Sequence, residues 1–316
     1  MTINVWLALF LILLYLTTLG VTIATLIGFL GRLWWRFDLF NHFRAQYALI
    51  MVVCTTLFFS VGLIPEALGA GFFLLVNLLQ IAPFYLRPGQ AFATGKVYRT
   101  LLSNVLEPNR EFHKLSQVIE REQPDFILLL EVDQRWLEEL SPAMTAYPNT
   151  LSQMWENKYG LAFYSKFPFT SAEVYHFGID HVPSLVVNFD LDGQPLTIIG
   201  THPPPPRSPK EARCRDAQLR QVAEFAAKQP GKVILMGDLN NTSWSPVFRD
   251  LLRISRLRDS RLGFGLQASW PATNPFLRVP IDHLLVSPGI AVHNRRLGPT
   301  IGSDHFPVLM DFSIPS

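Results

Sequence analysis

The residues of this chain that could do chemistry stand where apolar runs end. Val233-Ile234-Leu235-Met236 leads into Gly237-Asp238-Leu239-Asn240, placing an acid and an amide two positions apart at the mouth of a short buried strand. Side chains two apart on a strand share a face. A carboxylate beside a neutral amide there suits a divalent cation and a phosphate oxygen. The acid supplies charge or takes a proton, and the amide orients without adding charge. Alone, the motif reads equally well as a polar turn after a core strand, because Gly and Asp are ordinary turn residues. Its company gives it weight. Asn104 closes a run from Val97, Glu131 closes Phe126–Leu130, and His202 lies two residues past Thr197–Gly200. Asp282 sits in Ile281-Asp282-His283, and Asp304 and His305 sit in Gly302-Ser303-Asp304-His305-Phe306-Pro307. Each adjoins residues that would be buried, where an unpaired charge is costly. Independent turn residues do not account for the whole set.

These positions require a scaffold of alternating strands and helices. The pattern predicts strands over Val97–Asn104, Phe126–Leu130, Leu161–Tyr164, Val233–Met236, Ile281–Val286 and Phe306–Phe312. Asp192-Gly193 between Leu185–Asp190 and Leu196–Gly200 is a hairpin signal. Gly237 is expected to break its strand. Asn109 can cap a helix whose residues Phe112, Leu115, Val118 and Ile119 share one face, ended by Pro124. A second helix runs from about Lys210 to Lys228 with Leu219, Val222, Ala223 and Ala226 inward, after a stiff Pro203–Pro206 loop. His283 should face away from Asp282 as a core or supporting residue. His113 reads as a helix-surface residue, and His176, His181 and His293 as solvated loop residues. Trp270-Pro271 could close over the strand-end residues, with packing as the simpler role. Cys214 has no histidine at nearby spacing, so no thiol nucleophile is inferred. Neither a Gly-rich nucleotide loop nor a CxxC zinc pattern occurs.

Upstream, the composition changes. Ile3–Leu30 carries no charge, and further apolar runs cover Tyr47–Ile64 and Ala67–Leu86. A bilayer takes about 20 apolar residues. The first run is too long, and its N-terminal flank too poor in basic residues, for a signal peptide. Three transmembrane helices are expected, with Asn77 and Gln80 hydrogen-bonding to a neighbouring span. Arg32, Arg36 and Arg44 follow the first run, and Arg87, Lys96 and Arg99 follow the third. With three spans these six share one side, which the positive-inside rule makes cytoplasmic. Residues 1–90 thus read as a membrane anchor and 91–316 as a separate globular domain, joined at Arg87-Pro88-Gly89. Five of the 27 Lys and Arg and two of the 25 Asp and Glu precede Val97, leaving 22 basic and 23 acidic residues beyond it. That balance lacks the basic excess of a nonspecific nucleic-acid binder. Cys54 and Cys214, one in a span and one in a polar helix, make no disulfide framework.

The ordered set resembles the endonuclease/exonuclease/phosphatase superfamily of DNase I-like enzymes. The matching pieces are SNVLEPN (Ser103–Asn109), LLLEVD (Leu128–Asp133), YGLAFYSKFPF (Tyr159–Phe169), GTH (Gly200–His202), GDLN (Gly237–Asn240), IDHLLVS (Ile281–Ser287) and GSDHFPV (Gly302–Val308). The apolar runs with HFRAQYAL (His42–Leu49) resemble membrane-anchored bacterial members. The resemblance implies an α/β fold, a DNase I-like four-layer α/β sandwich of two mostly antiparallel sheets flanked by helices, here preceded by the spans. It implies Mg²⁺ or Mn²⁺ as cofactor, with Glu131 the main ligand, Asn104 close by and Asp304 a further carboxylate. Asp238 would activate the attacking water while Asn240 orients it and contacts a phosphate oxygen. Asp282 would fix the tautomer of His305, and His305 and His202 would contact phosphate or move a proton.

The expectation is a multi-pass integral membrane phosphodiesterase, in a bacterial inner membrane with its catalytic domain on the cytoplasmic side. Its partners would be the lipid bilayer and a phosphoester substrate, a phospholipid head group or nucleic acid; no protein partner is inferred. A metal-dependent endonuclease or exonuclease is the alternative. A catalytically inactive membrane scaffold is the alternative of another class, disfavoured because all the site positions keep competent side chains.

Overall fold

The uncharged N-terminal run folds as one helix, α1 (Val5–Phe29). After α2 (Trp35–Leu39), α3 (Arg44–Ser60) and α4 (Ile64–Ile81) follow. The computed structural model describes residues 5–86, 95–155, 158–179 and 182–315. The Arg87-Pro88-Gly89 linker and His181 lie outside the described residues. Two units are distinguished, Met1–Leu86 with Trp244–Pro246, and Arg87–Ser243 with Val247–Ser316.

In the first unit, three helical stretches, Val5–Phe29, Trp35–Ser60 and Ile64–Phe84, are long and apolar enough to cross a membrane. The second extends further towards the N-terminus than hydropathy alone indicates. Asp38, Asn41 and Arg44 are buried there and hydrogen-bond to one another and to neighbouring helices. Arg44 donates to Thr25 O at 3.1 Å and to Asn77 Oδ1 at 3.3 Å, and Asn41 donates to Asp38 Oδ1 at 3.1 Å. Asn77 donates to Thr25 Oγ1 at 3.0 Å, the expected bond to a neighbouring helix. At Gln80 the backbone carbonyl is engaged instead, by the Trp244 indole at 2.9 Å. Ser245 Oγ donates to Asp38 Oδ2 at 2.7 Å.

The second unit contains β1 (Val97–Asn104), α5 (Phe112–Glu122), β2 (Phe126–Leu130), α6 (Gln134–Leu140), β3 (Asn149–Gln153) and β4 (Leu161–Ser165). Then come β5 (Ser171–His176), β6 (Pro183–Leu191), β7 (Gln194–Thr201), α7 (Pro209–Ala226) and β8 (Lys232–Asp238). The chain continues through α8 (Pro246–Ser255), β9 (Arg258–Asp259), β10 (Asp282–Val286), β11 (Ala291–Leu297) and β12 (Val308–Ser313). These strands make two six-stranded sheets, β11-β12-β1-β2-β4-β3 and β5-β6-β7-β8-β10-β9. Each sheet is antiparallel except for one central pair, β1–β2 in the first and β7–β8 in the second. Both parallel pairs need a crossover, supplied by α5 and α7.

Three apolar layers hold this together. Leu128, Phe163, Phe189, Ile198, Met236 and Phe312 belong to the core between the sheets. Leu115, Ile119 and Trp136 cover the outer face of the first sheet, and Leu219, Val222 and Phe248 that of the second. The architecture is therefore two mixed sheets flanked by helices, the expected four-layer sandwich.

Several local readings need correction. Asn109 does not cap α5, whose N-cap is Glu111. Asn109 instead donates to Val105 O at 3.1 Å and Ile301 O at 3.0 Å, tying two loops together. The α7 cap is Ser208, which accepts from Glu211 N at 3.2 Å, with Pro209 at the first turn. Gly237 does not break its strand. β8 runs through it to Asp238, and a Cβ on Gly237 would lie 1.9 Å from Thr201 O. The hairpin follows its signal: Asp192 and Gly193 both have positive φ, 56° and 81°. His176 and His293 lie on β5 and β11 rather than in loops.

Candidate active site

Sheet register positions the site. β8 and β10 pair with Asp238 opposite Asp282, so both carboxylates leave the same strand ends. β1 and β2 pair with Asn104 beside Leu130, which puts Glu131 one residue beyond. Glu131 has φ of 58°, a left-handed backbone that a non-glycine residue adopts only when held. His202 directly follows β7, which ends at Thr201, one residue later than expected.

Asn104, His202 and His305 converge on the carboxylate of Asp238, while Glu131, Asp282 and Asp304 are joined to it through Asn104 and His305. Asp238 Oδ2 lies 3.3 Å from Asn104 Nδ2, 3.5 Å from His202 Nε2 and 3.7 Å from His305 Nε2. Its Oδ1 accepts the backbone N–H of Asn240 at 2.9 Å. Asn104 also donates to Glu131 Oε1 at 3.0 Å. His305 donates from Nδ1 to Asp282 Oδ2 at 2.9 Å, and its Nε2 stands 3.9 Å from Asp304 Oδ1. The expectation that Asp238 and Asn240 share a strand face does not hold, because β8 ends at Asp238 and Asn240 turns back with φ of 48°. The Asn240 amide donates instead to Pro203 O at 3.0 Å.

Burial and charge are in tension here. Desolvation disfavours a charged His202, yet the hydrogen bond and charge of Asp238 outweigh it and raise its pKa. Burial likewise opposes the Asp238 carboxylate, but its bond to His202 and the charge of His305 hold its pKa below the usual range. For His305, burial is overcome by Asp282 and Asp238, which push its pKa up to about 10. The ring is thus held as an imidazolium with Nε2 turned to Asp238.

Among the described residues, three buried carboxylate oxygens of the site have no hydrogen-bond partner, Glu131 Oε2, Asp282 Oδ1 and Asp304 Oδ1. Unpaired buried carboxylate oxygens are costly unless a cation meets them. Hard oxygen donors fit Mg²⁺ or Mn²⁺, with Asn104 beside them. Ligand atoms of Asp238, Asp282 and His305 also lie within 4.8 Å of one another. In that trio Asp282 Oδ2 is committed to the His305 ring, while Asp282 Oδ1 has no hydrogen-bond partner.

Further residues support the site, most of them not singled out by the sequence. The Trp270 indole, read more simply as packing, donates to Asp304 Oδ2 at 2.9 Å. Ser303 Oγ donates to Asn104 O at 2.8 Å and accepts the His305 N–H at 3.0 Å. Its place in Gly302-Ser303-Asp304-His305 was the available signal. The Tyr159 ring lies 5.5 Å from that of His202. Behind the site, three buried side chains engage backbone carbonyls. Arg215 donates to Asn240 O at 3.2 Å and Arg295 to Asp282 O at 3.1 Å. His283 Nε2 lies 2.8 Å from Asn241 O and must donate to it, as an N–H facing a carbonyl. Burial pushes His283 down to about 3, so it is neutral, as a supporting residue should be.

A search of curated protein sequences finds no match. Among solved structures, the endonuclease/exonuclease/phosphatase of Beutenbergia cavernae DSM 12333 is similar at 20% identity, TM-score 0.56, covering 70% of this chain and 72% of that one. D. rerio TDP2, complexed with a single-strand DNA product, is similar at 16% identity and TM-score 0.59, covering 69% of this chain and 100% of that one. SmcL is similar at 21% identity and TM-score 0.55, covering 69% of this chain and 99% of that one. At such identities these likenesses speak to the fold. The sequence profile of the Endonuclease/Exonuclease/phosphatase family matches residues 101–305. The chain belongs to that family.

Proposed function

We propose that this chain is a membrane-anchored, Mg²⁺- or Mn²⁺-dependent phosphodiesterase acting on a phosphoester carried by a membrane lipid. The observation that carries the reading is the buried Asp238 carboxylate set among Asn104, His202 and His305, beside unpartnered oxygens of Glu131 and Asp304. Glu131 and Asp304, with Asn104 close by, would hold the cation, which when bound supplies positive charge against that building on the phosphate oxygens. Asp238 takes the proton of the attacking water. Asn240 positions that water; one of its two amide hydrogens is committed to Pro203, which leaves the other for a phosphate oxygen. Asp282 orients the His305 ring so that Nε2–H faces the site, and the imidazolium there, with His202, opposes charge on the phosphate and can return a proton to the leaving oxygen.

The three apolar helices and the near-neutral charge of the C-terminal part support a lipid-borne substrate and a multi-pass anchor. A nuclease is the second reading, favoured by the fold shared with D. rerio TDP2, whose structure holds a single-strand DNA product. One panel separates them. Purified full-length protein with Mg²⁺ or Mn²⁺ is offered phospholipid vesicles, plasmid DNA and bis(p-nitrophenyl) phosphate. Release of phosphorylated head groups supports the lipid reading. DNA nicking lost in Asp238→Ala overturns it in favour of the nuclease. Failure to cut any phosphoester with either ion overturns both and leaves a scaffold. The cytoplasmic placement of residues 91–316 is tested by a reporter fused after Ser316; activity only outside the cytoplasm refutes it.

A further inference from the structure

Phe276 and Leu277 stand side by side in solvent, 80% and 51% exposed, at the tip of the loop from Trp270 to Val279. Single exposed hydrophobic residues need no explanation, but an adjacent aromatic and aliphatic pair on a fastened loop does. The loop is closed at its base by Trp270 N donating to Val279 O at 3.1 Å. Arg278 braces it from within, donating to Pro271 O at 3.3 Å and Ala272 O at 2.7 Å. Asn274 Oδ1 accepts the N–H of Phe276 at 3.1 Å. Its base is also joined to the candidate site. Ala272 N donates to Asp304 O at 2.7 Å, and the Trp270 indole to Asp304 Oδ2 at 2.9 Å. The tip sequence Thr273-Asn274-Pro275-Phe276-Leu277 carries no charge, so no ion need be dehydrated when it leaves water.

We propose that this tip is a lipid-contacting wedge: Phe276 and Leu277 enter the interfacial region of a bilayer and bring the mouth beside Asp304 to phosphoesters held there. Aromatic and leucine side chains on an otherwise uncharged projection are the composition that partitions into the headgroup–acyl boundary. The occupant is a bilayer rather than a protein because the same chain carries three helices of spanning length. A lipid surface is then present at a fixed, high local concentration. The inference rests on the anchored reading above and adds a second, independent point of lipid contact.

The test uses full-length protein reconstituted into phosphatidylcholine–phosphatidylglycerol vesicles, with a nitroxide attached at Phe276→Cys or, separately, Leu277→Cys. Both native cysteines are buried, and the unsubstituted chain reports background labelling. Collision of the label with oxygen is compared with collision with a water-soluble nickel chelate. Val52→Cys on the exposed side of α3 is the lipid reference, and Glu173→Cys on β5 the aqueous one. The expected result is an oxygen-to-nickel ratio at 276 or 277 severalfold above that at 173 and close to that at 52. Ratios at 276 and 277 equal to that at 173, with 52 lipid-like, overturn the wedge alone. A water-like label at 52 overturns the anchor and the wedge together.

Discussion

Replacing Gly237 by alanine probes the closest approach in the site's framework. The added Cβ would lie 1.9 Å from Thr201 O and 3.0 Å from Thr201 C. Cβ atoms do not come within 3.0 Å of such neighbours, so β7 and β8 must part by at least 1.1 Å there. The obstruction is backbone, which cannot rotate aside as a side-chain tip would. Overpacking a core costs about 1–3 kcal/mol, and a backbone clash belongs at the upper end. At roughly 2–4 °C per kcal/mol for a unit of this size, the melting temperature should fall by about 6–12 °C. The same shift separates His202 from Asp238, now 3.5 Å apart, so activity should fall even well below the melting point. Gly193→Ala is the control: no atom lies within 4 Å of its Cβ, and only its left-handed φ of 81° is penalised, by about 1–2 kcal/mol. Calorimetry of the full-length protein in detergent, with hydrolysis of bis(p-nitrophenyl) phosphate, reads both effects. Equal melting temperatures for Gly237→Ala and the parent would refute the reasoning.

Glu131→Gln, Asp238→Asn and His305→Ala should each lower kcat on that substrate by at least about 10³-fold with far smaller changes in KM; a mere few-fold loss would remove the residue from the mechanism. In metal-free protein, His305 should titrate near its raised value of about 10 by NMR and fall towards 6.5 in Asp282→Asn. Since the folded value is the higher, its proton contributes fully to stability below pH 6.5, and that contribution is lost as pH rises through about 10. Asp259 pairs with buried Arg261 at 2.8 Å, close to buried Arg295, and the guanidinium of Arg261 keeps its carboxyl far below the usual range despite burial. Asp259→Ala should therefore cost about 3–5 kcal/mol by leaving buried charge uncompensated, measured as a drop in urea midpoint.

Much of this was legible because strands that are buried on both faces write continuous apolar runs. Phe126–Leu130 and Val233–Met236 announced themselves, and the residues ending them followed. Edge strands did not. β5 is alternately exposed, and β11 carries His293, Asn294, Arg295 and Arg296, so their patterns resemble loops. Helix α6 is only seven residues long, too short for an amphipathic period to repeat, although Asp133 caps it by accepting from Trp136 N at 2.8 Å. Apart from His283, which its place beside Asp282 marked as supporting, the layer behind the site was invisible for a different reason. Arg215 and Arg295 act on carbonyls of Asn240 and Asp282, partners that carry no side-chain signature. For Trp270 packing was preferred to a place over the site because an indole looks apolar in a sequence, whereas its N–H finds a carboxylate only once the chain has folded.

The pairing of β1 with β12 has a temporal consequence. Val97 meets Ser313 and Leu102 meets Val308, and Arg99 bonds Asp311 across 212 residues of chain. Asn104 and Glu131 leave the ribosome early, while Asp304 and His305 emerge almost two hundred residues later. Until that strand arrives, the first sheet lacks the partner of its leading edge and Asp282 lacks its imidazole. During synthesis the candidate site therefore stays incomplete until Asp304 and His305 have emerged and His305 can meet Asp282.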